Sequence, residues 1–121
     1  MASLQDAMHR AVRLLHRFPS EKFMVMVSNP WLARVVACYM SASGSRRVAP
    51  IHEQLSPALW GQALSIFQEE GVLASTFLPP AVLPVEGVAA ILLLEPPPRG
   101  YLDHLIRISA EGHPVGIFLL Y

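Results

Sequence analysis

A single cysteine, Cys38, stands among the 121 residues, so the chain cannot close a disulfide within itself and suits a reducing compartment. Charge is sparse as well. Asp, Glu, Lys and Arg make up 15% of the residues, nine of each sign, for a formal net charge of zero. That balance argues against a broad nucleic-acid surface, and no nucleic-acid partner is expected. No apolar run reaches the ~18 residues a membrane span needs. The start, Met1-Ala2-Ser3-Leu4-Gln5-Asp6, lacks the charged-then-apolar pattern of a secretory signal. The expectation is a cytoplasmic protein.

Signatures of chemistry are missing too. The glycines of a dinucleotide fingerprint or phosphate-cradling loop are absent, as is a lysine after them. There is no Gly-x-Ser-x-Gly elbow for serine catalysis. Cys38 falls mid-helix among Val35, Val36 and Ala37, where a thiol packs as a small apolar group. His9, His16, His52, His104 and His113 are scattered, with no His-x3-His pair, so no metal is expected. No catalytic residue and no cofactor are assigned.

What the chain does have is apolar residues, 53% of the total, gathered in runs. Phe23–Val27, Val88–Leu94 and Val115–Leu120 do not alternate with polar residues, which is how strands buried on both faces of a helix-covered parallel sheet read. Amphipathic segments separate them. Residues 4–18 place Leu4, Met8, Ala11, Val12, Leu15 and Phe18 on one helical stripe, with Arg10, Arg13 and Arg17 opposite and Asp6 among them. Asn29-Pro30 and Ser56-Pro57 read as a cap followed by the first helical residue, opening helices that end near Gly44 and Gly71. A fourth helix begins near Arg99 or Gly100 and ends around Gly112, and His113-Pro114 turns into the last strand. Arg46–His52 is a weak strand, or one cut to Arg47–Ala49 because Pro50 lacks a donor. Leu73–Leu78 is another, antiparallel or at an edge because no helix links it to Val88.

The order α–β–α–β–α–β–β–α–β argues for right-handed crossovers between parallel strands. The expected fold is α/β: one domain over residues 1–121, a three-layer sandwich with a mostly parallel sheet of four to five strands and about four helices. Residues 1–18 form an amphipathic helix leading into it.

Ligands of open α/β sheets gather beyond the carboxyl ends of the strands. That rule selects two loops. At Ser28-Asn29-Pro30-Trp31, free amides at a helix start can hold an anion, although Ser28 and Asn29 also read as plain caps. At Glu95-Pro96-Pro97-Pro98-Arg99, a rigid proline segment presents a carboxylate and a guanidinium able to pair with phosphate, or these residues simply decorate a turn. Arg10, Arg13 and Arg17 suit an acidic partner or a solvated face. Trp31 and Trp60 suit an interface or the rim of a core.

The charge is split between halves: +5 over residues 1–50 and −5 over 51–121. Together with the apolar excess and an edge strand at Val115–Tyr121, the split points to a non-catalytic protein-interaction module. Such a regulator or assembly subunit would be self-associating, with a protein partner or further copies of itself. The alternative is a small-molecule or phosphate-ligand-binding domain, enzymatic or not, with Ser28, Asn29, Glu95 and Arg99 around its ligand.

Overall fold

Ser3 starts the first helix. Its hydroxyl accepts from the Asp6 N–H at 3.2 Å, and the Asp6 carboxylate accepts from the Ser3 N–H at 3.4 Å, so two orphan amides are satisfied reciprocally. Helix α1 spans Leu4–Arg17. Asn29 caps α2 (Pro30–Ser43), accepting from the Leu32 N–H at 2.9 Å. Ser56 caps α3 (Pro57–Glu70) through the Leu59 N–H at 3.3 Å. Helix α4 is Tyr101–Ala110. The computed structural model describes residues 3–44, 46–110 and 115–121. The expected helix end near Gly112 and the turn at His113-Pro114 lie outside the described residues.

The strands are β1 (Phe23–Val27), β2 (Ala49–Ile51), β3 (Val72–Thr76), β4 (Ala90–Leu93) and β5 (Gly116–Leu119). All pair in parallel, in the order β2-β3-β1-β4-β5. Alternate side chains of each strand feed two cores. Phe23, Val25, Val27, Val72, Ala74 and Leu92 pack under α1 and α2. Met24, Met26, Leu73, Ile91 and Leu93 pack under α3 and α4. Every residue of β1, β3 and β4 is buried. The three-layer α/β sandwich expected from the apolar runs is the fold observed.

Three strand expectations need correction. Strand β3 is parallel and interior, between β2 and β1. No helix is required to link it to β4, because residues 77–89 cross over β1 and bury Leu83, Val85 and Val88 in the second core, supplying the length a parallel crossover needs. Pro50 sits inside β2 opposite Ala74, tolerated because β2 is an edge strand. The run Val115–Leu120 is not buried on both faces. Strand β5 is the other edge, and Phe118 and Leu119 are 45% and 49% exposed.

Arg46 binds the amino-end side of the sheet together. Its guanidinium donates to the carbonyls of Glu21 (2.6 Å), Phe18 (3.1 Å), Leu15 (3.3 Å) and Glu70 (3.4 Å), and it lies 5.6 Å over the Phe23 ring. Burial lowers its pKa, partly offset by Glu70. Gly71 ends α3 at φ 82°, and a Cβ there would stand 3.1 Å from the Arg46 guanidinium. The chain needs a glycine at this point both for its backbone and for this contact.

Candidate nucleic-acid interface at the strand tips

Because every strand is parallel, the carboxyl ends of all five share one edge of the molecule. The chain leaves β1 toward α2 on one face of the sheet, while β2 and β4 lead to α3 and α4 on the other. Such a divergence opens a crevice beside β1. On the β4 side it is bridged: the Glu95 carboxylate accepts from the Ser28 N–H at 2.8 Å, joining the two loops chosen from sequence. With Asn29 accepting from Leu32, the expectation of amides free for an anion is corrected. The protein's own carboxylate occupies that place.

On the β3 side the crevice stays open. A cleft of about 510 Å³ is lined by Ser28, Glu53, Thr76, Phe77 and the proline wall Pro96–Pro98. The Thr76 hydroxyl, almost wholly buried, donates to the Glu53 carboxylate at 2.8 Å and holds it at the mouth. A shallower recess of about 280 Å³ adjoins it, bounded by Phe77, Pro79, Pro98, Arg99, Tyr101 and His104. The Tyr101 hydroxyl donates to the Leu78 carbonyl, fixing α4 to the loop after β3. Burial raises the Tyr101 pKa above the ordinary phenol range.

Of the residues chosen from sequence, Ser28, Asn29, Glu95 and Arg99 all lie at this edge, but only Ser28 and Glu95 touch. Trp31 is 66% exposed, one turn before the exposed Arg34 on α2. Trp60 is half-buried against the second core. Arg10, Arg13 and Arg17 lie along a separate groove, between α1 and the β5 edge. Cys38 is exposed, contrary to the packed thiol expected, and so is Phe18. Among the described residues no group of three His, Cys, Asp or Glu could hold a metal ion. Glu53 and Thr76 were missed, although the strand-tip rule applied to β2 and β3 would have selected both.

No family model matches the chain, and no curated protein does. Solved structures do. The Mss116p DEAD-box helicase domain 2 bound to an RNA duplex superposes with a TM-score of 0.70 at 14% identity, over 96% of this chain and 48% of that one. S. cerevisiae Dbp5 bound to RNA and ADP BeF3 gives 0.75 at 15%, over 96% and 32%. E. coli DEAD-box protein SrmB, bound to regulator of ribonuclease activity A, gives 0.76 at 17%, over 96% and 69%. The fold is shared with helicase domains. The chain spans about half the length or less of the first two.

This likeness overturns two expectations. The expectations of a non-catalytic, self-associating interaction module and of no nucleic-acid partner do not stand, since neighbours of this fold were captured on RNA. Net charge averages over the chain and is blind to where side chains gather, so it does not exclude a nucleic-acid partner. Among the described residues no helix is long and apolar enough to cross a membrane.

Proposed function

We propose that this domain binds RNA, as one domain of a helicase-type protein, with the strand-tip edge as its contact face. The observation carrying this reading is the match of nearly the whole chain to domains held on RNA, with TM-scores of 0.70 and 0.75. The local chemistry supports it. Exposed Trp31 offers a flat aromatic surface for a base, with Arg34 one turn away for a phosphate. The N-termini of α3 and α4 follow the tips of β2 and β4 along the same edge, where the helix dipole favours phosphate oxygens. Arg99 adds a guanidinium beside the proline wall.

The tips fit a nucleotide phosphate poorly. Glu95 already occupies the Ser28 amide, and a second anion there would meet a like charge. Neither loop carries a lysine to offset that repulsion.

Fluorescence anisotropy with a labelled single-stranded RNA tests the proposal. Saturable binding is expected at about 10⁻⁶–10⁻⁴ M, the range of sequence-independent contacts, weakening as salt is raised. Trp31→Ala is expected to cost ~1–3 kcal/mol of that affinity through lost stacking. No binding to single-stranded or duplex RNA at low salt would overturn it.

A further inference from the structure

The row Arg10, Arg13, Arg17 is too regular to be absorbed by the strand-tip surface. Helical rise spaces the three along about 10 Å of α1. They form, with Leu14, one wall of an open groove of about 310 Å³; Phe118 and Leu120 of the β5 edge form the other. No residue lining the groove is acidic. Phe118 is 45% exposed, and its ring folds back to within 3.1 Å of where a Cβ on Gly116 would stand. At the end of the row Arg17 lies 5.7 Å over the ring of Phe18, itself 44% exposed.

A row of guanidinium groups facing an open aromatic ring, with a second ring at its end, suits a single nucleic-acid strand: forks for phosphates and faces for unstacked bases. An acidic peptide would use the charges but has no need of the rings. We infer that the α1–β5 groove is a second contact surface, one that tracks the backbone of single-stranded RNA. This rests on the RNA-binding reading above and adds to it the surface, the form of the ligand and the residues.

The test is the salt dependence of binding to a short labelled oligouridine. It compares the wild type with R10A/R13A/R17A, the triple Arg→Lys variant, and Phe118→Ala. All four side chains are exposed, so folding is expected to persist, as far-UV circular dichroism would check. Loss of three single-strand phosphate contacts should reduce the slope of log affinity against log salt by about 2. The lysine variant should keep most of that slope, and Phe118→Ala should lose about tenfold in affinity with the slope unchanged. If the wild type binds but the triple alanine variant keeps its slope, the groove assignment is wrong while RNA binding stands. If the wild type does not bind at all, both fall. Displacement of the RNA by polyglutamate of equal charge, abolished in the triple variant, would assign the groove to an acidic protein segment instead and overturn the inference.

Discussion

Arg46 is half-buried, and four carbonyls converge on its guanidinium from the end of α1, the turn into β1 and the end of α3. Hydrogen bonds from a charged donor contribute more than neutral ones, and removing the donor leaves the acceptors partly unsatisfied. Arg46→Ala is therefore expected to destabilise the fold by about 2–3 kcal/mol, read as a lower urea midpoint. Arg46→Lys should recover little, because a single ammonium cannot span the carbonyls a planar fork reaches. In the sequence this residue is merely one of seven basic groups in the first half of the chain. Its carbonyl partners are 24 to 31 residues away, and nothing local marks it as their donor. Glu95 has the same history: a strand-tip carboxylate by position, it proves to be the partner of an amide 67 residues earlier.

Elements were far more legible than contacts. Caps at Asn29-Pro30 and Ser56-Pro57 act locally and were readable because their partners lie three residues on. Unalternating runs identified β1 and β4 correctly, since burial on both faces leaves a compositional trace. The same trace misled at β5. Its apolar residues face an open edge and a groove rather than two covered faces, and hydropathy cannot tell those apart. The link between β3 and β4 was misjudged because an irregular segment with buried Leu83, Val85 and Val88 replaces the usual crossover helix. Helix α4 is held against that segment's start by the Tyr101 hydroxyl on Leu78. Its raised pKa has a testable sign. Below the ordinary value of 10.0 both folded and unfolded chains keep the phenol proton. Above it the unfolded chain releases that proton while the folded one retains it, so stability falls as pH rises. Chemical denaturation from pH 8 to 11 should show this decline, smaller in Tyr101→Phe, which should also lose ~1 kcal/mol at neutral pH.

At the scale of the whole molecule, neutrality conceals two surfaces of different character. The strand tips combine Trp31, Arg34 and Arg99 with the fixed carboxylates Glu53 and Glu95. The α1–β5 groove is lined by three arginines and no acid. Reading the sequence placed the tip residues on the correct edge, because that follows from strand direction alone. It could not bring Phe118 to an arginine row a hundred residues earlier, and without that aromatic the row looked like a solvated face. The fold therefore emerged from composition and periodicity, whereas the proposed nucleic-acid binding rests on juxtapositions that only the folded chain reveals.

The most direct test of RNA binding at the strand tips is the fluorescence of Trp31. In a Trp60→Phe variant it is the sole indole, and it stands 66% exposed in the first turn of α2. Titration with single-stranded RNA at low salt is predicted to quench its emission saturably, with the midpoint moving to higher RNA concentration as salt is added. Emission that stays constant through the titration would contradict the account.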